Sequence, residues 1–593
     1  MRRVLVAVAA ILVLAPGSGR AAGAATTVTA PVYDSRGRII ETPFAPAEEP
    51  VRLTEERATR IFLAEPKVRH WLARYPRTNR VTEGTYSKTY RNWTVKVWRG
   101  KAGEIATGRV DDQSSVVTEA WTGPQVAWKM ARGYTGAFGG KKMNSYRVWL
   151  AFCAVFLLGL VDWRRLRSLR NLDLLVLLSF SVSLWFFNRG DVLTSVPLAY
   201  PPLLYLIGRG LWVGFSGRAT SGRTVWPVWL LVGATVFVAG FRVGLNVRAS
   251  NVIDVGYSGV IGGERIVHGQ MPYGHMPIED DLKACGPKDQ DGEIRDRVQT
   301  NGRCESANER GDTYGPVAYL AYVPAYLALG WTGKWDDLPA AHATSIAFDL
   351  ICIVGMALIG LRFGGPRLGA TLAFAWAAYP FTQYASNSNT NDAILPAFLI
   401  WGFLLVTSSV ARGAFCALAS WTKFAALLVA PLWWTYPDRR PRPLFLLGFA
   451  VATAVSFGVL LLEPDVLHAA RVFWDRTVSW QLGRESPFSI WDWRQYHAGL
   501  PDLHLLQRVL EVLVVLAAVA FAFVPRTKSP LQLAALTGVL LLGFQLVLTH
   551  WFYLYIPWFF PFAAYAVLGP GPVRKAEPVA ERDVEPVPEL VTA

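Results

Sequence analysis

The sequence predicts a polytopic α-helical membrane protein of roughly 13 transmembrane helices, preceded by a small exported α+β domain. Three observations carry that expectation. From Tyr146 onward, apolar runs alternate with short polar links. The links that would share one side of a membrane are basic. The chain opens on two arginines followed by a short apolar run. Charged residues are 17% of the 593 and hydrophobic ones 52%, against about 25% charged in soluble domains, so lipid is the expected solvent for most of the chain.

Residues 1–24, MRRVLVAVAAILVLAPGSGRAAGA, have the basic start, apolar stretch and small residues of a signal peptide, with cleavage expected near Ala22 or Ala24. Residues 25–145 are polar. Within them Leu53–Tyr75 has a helical start at Thr54 and a partial apolar face of Ile61, Phe62, Val68, Trp71 and Leu72, and Pro66 should split it into two short helices. Thr85–Val97 alternates as a strand should, and Glu104–Val110 and Ser115–Trp121 follow between Gly and Asp turns. Helices followed by a small antiparallel sheet resemble a PepSY-like domain. With no catalytic constellation here, binding, regulation or spacing is the expected role.

Spans are predicted near 147–163, 172–188, 193–209 and 225–243, a four-helix preamble over 146–243. Beyond a long polar loop come 340–361, 367–383, 393–410, a hairpin over 412–436, then 443–462, 505–524, 530–549 and 552–569. If residues 25–145 lie outside, the inward links are Arg164–Arg170, Gly208–Arg223, Arg362–Arg367, the link at Arg412, Asp438–Arg442, Arg526–Lys528 and the tail 570–593. All of these are basic, as the positive-inside rule requires. The loops 244–315 and 463–503 are then outside, the tail is cytoplasmic and disordered, and the plasma membrane is the expected location. The net charge of +15 is therefore assigned to topology and not to nucleic acid. Cys153, Cys352 and Cys416 fall in apolar runs and read as small hydrophobes. Cys285 and Cys304 share one outward loop without the spacing of a zinc site, and a disulfide is expected.

The chemistry-bearing residues gather at the outer ends of the spans. Asp254 stands where a span emerges, in NVIDVGYSGVIGGERIVHGQMPY, and Glu264, Arg265 and His268 follow on a short interfacial helix. After the polar tract, Asp312–Tyr326 (DTYGPVAYLAYVPAY) returns to the membrane through Tyr314. Asn389, Asn391 and Asp392 form a polar cluster at the mouth of a span, Lys423 (SWTKFAALL) interrupts an apolar hairpin, and His550 (LTHWFYLY) sits where a helix leaves the membrane. Ionisable groups at that depth are costly and mark functional candidates. Each has a plainer alternative: snorkelling for Arg265 and Lys423, an aromatic belt for His550, an exposed loop for the Asn/Asp cluster. Trp474, Trp480, Trp491 and Trp493 suit sugar rings, polyprenyl chains or an interfacial belt alike.

A membrane-emergent Asp, a helix ending in Gly-Gln-Met-Pro-Tyr and a later Thr-Tyr-Gly-Pro re-entry resemble the first external loop of GT-C glycosyltransferases. The nearest branch is the polyprenol-phosphate-mannose-dependent mannosyltransferases of glycosyltransferase family 87. The resemblance covers about residues 225–569 and makes 244–569 the expected catalytic module. The departures are a longer, cysteine-bearing loop and TYGP where that branch usually has YxYPP, and they leave donor and acceptor open. The resemblance implies a GT-C-like fold and transfer of a sugar from a polyprenyl phosphate to a lipid or glycan acceptor at the outer face, with Asp254 as general base. Arg265, His268, Tyr314, Asn391, Asp392, Lys423 and His550 form the expected substrate-binding set. The resemblance fixes no cofactor; a divalent metal, used by some members, stays open. A lipid-linked donor needs no nucleotide fold, and no Gly-rich nucleotide fingerprint is present. The competing expectations are a transporter or flippase and a non-catalytic scaffold that senses through the exported domain.

Overall fold

A computed structural model describes Val32–Tyr33, Arg36, Ile39–Glu41 and most of residues 50–570. The expected signal peptide and residues 571–593 of the expected tail lie outside the described residues, as do short stretches between, among them 88–89, 100–103, 127–135, 220–223, 279–281, 288–293 and 497–499. The chain divides into two units, Met1–Thr54 and Glu55–Ala593. In the first, β1 (Val32–Tyr33) pairs antiparallel with β2 (Ile39–Glu41). All that follows concerns the second unit.

Helices Glu55–Ala64 and Pro66–Leu72 are separate, with Pro66 opening the second, where its missing N–H costs nothing. They bury Ala58, Phe62, Val68, Trp71 and Leu72. The sheet is an antiparallel meander, β3 (Arg80–Ser87), β4 (Asn92–Arg99), β5 (Glu104–Asp111) and β6 (Val117–Thr122), in chain order. The single alternating stretch expected over Thr85–Val97 is instead a hairpin, with Tyr86 paired to Trp93. No Gly or Pro marks its turn; Arg91 takes the left-handed position itself, at φ 52°.

The rest is mostly helical. Among the described residues, six helices are long and apolar enough to cross a membrane: Leu169–Phe187, Val228–Ala249, Pro339–Ala378, Pro443–Leu462, His504–Phe523 and Pro530–Val547. Shorter apolar helices accompany them at Tyr146–Leu160, Val317–Leu329, Asn391–Leu404, Phe424–Trp434 and Tyr553–Leu568. Pro339–Ala378 is two arms. At Gly365 the backbone turns through φ 79°, Pro366 follows, and the arms fold back so closely that a side chain on Gly360 would collide with Gly369.

Hydrogen bonds sort the connections into two groups. The basic links meet one another. Arg362 donates to Thr407 Oγ1 (3.0 Å), Arg412 to the Tyr436 carbonyl (3.1 Å), Lys528 N to the Pro437 carbonyl (2.9 Å) and Gln532 to the Gly214 carbonyl (3.0 Å). The long polar loops meet at the other helix ends. Arg476 pairs with Asp312 (2.7 Å), Trp491 donates to the Leu546 carbonyl (2.9 Å), and Asn251 donates to the Gly136 carbonyl (2.9 Å) on the segment leading from the sheet. These two groups are called below the link end and the loop end.

Candidate functional site

The site at the loop end is built on a turn that the sequence left open between exposed loop and binding element. Asn387, Ser388, Asn389, Asn391 and Asp392 are all buried. Buried amides and backbone groups must be paired, and here they pair with the segment before Asp254. Asn251 N donates to the Asn387 carbonyl (3.1 Å) and Ile253 N to the Ser388 carbonyl (3.3 Å). Asn389, at φ 50°, donates to Ser250 Oγ and the Asn251 carbonyl, both at 2.9 Å, and its own Oδ1 accepts from Asn246 (2.9 Å). The helix Asp254–Val267 starts from this scaffold, with the exposed Asp254 carboxylate in its first turn. Gly256 permits the approach; a Cβ there would collide with the Asn389 carbonyl oxygen.

Lys423 follows the helix Ser409–Ser420 in extended conformation. Its buried Nζ donates to Asp392 Oδ1 (2.6 Å), which also accepts from Trp558 Nε1 (3.0 Å). The ammonium lies 5.0 Å from the Tyr314 ring centre, 5.1 Å from Tyr555 and 5.0 Å from Trp558, a cation caged by aromatic faces. Tyr314 reaches it because Val317 N donates to the Trp421 carbonyl (3.1 Å), and at Gly315 any side chain would collide with that same carbonyl oxygen. Asp254 and Arg484 both act electrostatically on Lys423 and Tyr314. Burial holds the Tyr314 phenol well above its usual range, and the Asp254 carboxylate pushes the same way.

Arg484 carries the cluster on to His550: its guanidinium is 3.1 Å from His550 Nε2, and Ser486 Oγ is 2.8 Å from Nδ1. A guanidinium only donates, so Nε2 accepts and Nδ1 carries the proton toward Ser486. The second long loop is fixed by Arg476, whose Nε reaches both oxygens of the buried Asp312 (2.9 and 2.7 Å), and by Arg310 stacked 4.2 Å from the Trp480 ring centre. Of the buried polar atoms without a hydrogen-bond partner among the described residues, Asn391 Oδ1, Asp392 Oδ2 and Tyr322 Oη belong to this cluster, and the Asp392 charge acts on Tyr322.

The structure thus groups Asp254, Tyr314, Asn391, Asp392 and Lys423, with His550 joined through Arg484. It does not bring Arg265 or His268 to that group. Half-buried Arg265 donates to Gln270 Oε1 (3.4 Å) and to the His275 carbonyl, and exposed His268 contacts the Glu264 carbonyl (2.8 Å) through Nδ1. Both sit at the far end of the helix that Asp254 begins. Cys285 and Cys304 are bridged in the first loop, Cα to Cα 5.9 Å. The tryptophans divide by contact. Trp491 and Trp493 are buried and donate to the Leu546 and Pro487 carbonyls (2.9 Å each), so they brace the loop, whereas Trp474 is exposed.

Sequence reasoning missed Arg484, Tyr555 and Trp558, which carry no signal beyond an arginine in a polar loop and aromatics in an apolar run. It also missed a pair deep in the bundle. Arg242 pairs with both oxygens of Asp349 and donates to the Ala377 carbonyl (3.0 Å) and Thr382 Oγ1 (3.1 Å), while Trp376 donates to Asp349 (2.8 Å). Among the described residues no group of three or more His, Cys, Asp or Glu side chains is placed to hold a metal ion, and Asp392 is turned to Lys423. Comparison with family models, curated proteins and solved structures finds no match for the chain.

Proposed function

We propose that the chain is an integral membrane glycosyltransferase of the GT-C kind, crossing the bilayer roughly 13 times with its loop end outside and its link end in the cytoplasm. It would move a sugar, with mannose the first to test, from a polyprenyl phosphate to a lipid or glycan acceptor. The membrane reading draws on the six long apolar helices and the five shorter ones, and the orientation on the basic links gathered at one end. The observation that carries the functional reading is the caged Lys423–Asp392 pair, with Asp254, Arg484 and His550 around it. Five separate segments are needed to build it, and buried charge kept at such cost is kept for use.

In this reading Lys423 and Arg484 attract the donor phosphate. Asp392, whose Oδ1 accepts from Lys423 and Trp558, positions Lys423. Asp254, exposed at the helix start, takes the proton of the acceptor hydroxyl as its oxygen bonds to the anomeric carbon. The carbon–oxygen bond to phosphate breaks, and its electron pair leaves with the polyprenyl phosphate. Asn391 Oδ1 and Tyr322 Oη are suited to sugar hydroxyls. The transporter reading can draw on Arg242–Asp349, but that guanidinium is spent on Asp349, a carbonyl and a threonine, which suits a brace between helices better than a moving charge.

The test is transfer from a labelled polyprenyl-phosphate sugar in reconstituted vesicles. Asp254→Asn keeps size and polarity and should lose about 10²–10⁴ in rate while the protein stays folded. Wild-type rates in that variant would remove the base assignment. No turnover by the wild type across a broad donor and acceptor panel would favour the scaffold.

A further inference from the structure

The link end carries a cavity that glycosyl transfer does not use. It encloses about 400 Å³ between the Val161–Ser168 turn and the end of the helix Tyr200–Ser216, lined by Arg165, Arg167, Ser168, Arg209, Trp212 and Ala219. It is remote from the Lys423 centre. Leu169, which opens the helix Leu169–Phe187, lines it, whereas Phe187, which ends that helix, packs on Phe488 and Phe552, the rings flanking His550. The 19 residues between span about 28 Å at 1.5 Å per residue.

We propose that this cavity binds the phosphate of an anionic phospholipid headgroup in the leaflet at the link end. The proposal rests on the membrane reading above and is independent of glycosyl transfer. The charge is right: three guanidinium groups line the cavity, and the buried Asp173 fixes Arg209 through Nε with both oxygens at 3.1 Å and takes the Tyr205 hydroxyl at 2.8 Å. Arg209 stacks 4.7 Å from the Trp212 ring centre, which holds the far wall in place. Ser168 caps the helix Leu169–Phe187, accepting from Asn171 N (3.3 Å), so the positive end of a long helix faces the same space. Guanidinium matches phosphate geometry better than a point charge does.

The rim decides between a lipid and a soluble phosphate. Leu169 and Trp212 line the cavity and are 55% and 46% exposed, and Trp163 and Leu166, next to the arginines in the same turn, are 45% and 63% exposed. A soluble anion would gain nothing from an apolar skirt, but acyl chains lie against one. Basic links alone satisfy the positive-inside rule without forming a cavity, so a walled pocket with an apolar rim asks for a headgroup.

The experiment compares binding of phosphatidylglycerol, phosphatidylcholine of the same chains, and inorganic phosphate to the full-length protein in neutral detergent. Native mass spectrometry and thermal shift are the readouts. Arg165→Gln/Arg167→Gln removes two exposed charges and leaves Arg209–Asp173 intact. Arg440→Gln/Arg526→Gln removes two charges from other links as a control. At about 1 kcal/mol per arginine near the surface, the first pair should weaken phosphatidylglycerol binding about thirtyfold, with the control near wild type. Equal loss in both double variants would reduce the effect to surface charge and overturn the proposal. So would equal binding of the two lipids by the wild type. Stabilisation by inorganic phosphate alone, as large as by the lipid, would overturn the lipid assignment.

Discussion

Lys423 shows what one buried charge commits a protein to. Its partner Asp392 is as deeply buried, so removing either side chain alone strands the other. Lys423→Met should therefore destabilise the fold by about 3–5 kcal/mol, and Lys423→Met/Asp392→Leu should recover most of that loss, because two apolar residues of similar size remove both desolvation costs. Transfer activity should be absent in both. Thermal unfolding in detergent beside the vesicle assay separates the effects; a stable double variant with normal turnover would make the pair a structural relic. Both residues are legible in the sequence, since a lysine inside an apolar hairpin and an aspartate at a span mouth stand out. Arg484 was not, because one more arginine in a polar loop looks like a solvated cation until the loop folds back beside His550. Arg242 and Asp349 escaped for another reason. Each lies alone in its own span, and only packing makes them a pair.

Two glycines decide whether the elements of the site can meet. Gly256 lets the Asp254 helix rest on the Asn389 carbonyl, and Gly315 lets the Thr-Tyr-Gly-Pro segment rest on the Trp421 carbonyl beside Lys423. Neither contact can yield by rotating a side chain, because backbone meets backbone. Gly256→Ala and Gly315→Ala should each displace one wall of the site, and misplacement by about 1 Å costs about 10²-fold in rate, with helix content by circular dichroism close to wild type. Gly233→Ala is the control, since its Cβ would meet nothing within 4 Å, and it should leave the rate unchanged. Equal rates in all three variants would mean that these contacts do not set the geometry. The re-entry motif was visible in the sequence, but its reason was not, because the sequence cannot say that Gly315 and Trp421, a hundred residues apart, touch. The same limit applies to the hairpin at Arg91, where alternation runs on through a turn that no Gly or Pro announces.

At the scale of the molecule, apolar length located the helices and basic clusters located the links, because both are properties of a segment and need no partner. Breaks within segments were less legible. The run predicted at 193–209 divides into Val192–Leu198 and Tyr200–Ser216, and the hairpin over 412–436 contains the 3-10 stretch Phe424–Val429. The two-ended arrangement nevertheless makes a strict prediction. If the helices alternate across a bilayer, every position at the loop end must share one aqueous compartment and every position at the link end the other. Thr82 on β3 and His468 in the second long loop are exposed at or beyond the loop end; Arg167 and Thr527 are exposed at the link end. Replace Cys153, Cys352 and Cys416 by serine, keep the Cys285–Cys304 bridge, and introduce one cysteine at a time at those four positions. An impermeant maleimide on intact cells should label Thr82→Cys and His468→Cys and spare the other two until the membrane is opened. Labelling of Arg167→Cys or Thr527→Cys in intact cells would invert the protein. It would move the Lys423 centre to the cytoplasmic face, and the transfer proposed here would have to be given up for a reaction on that side.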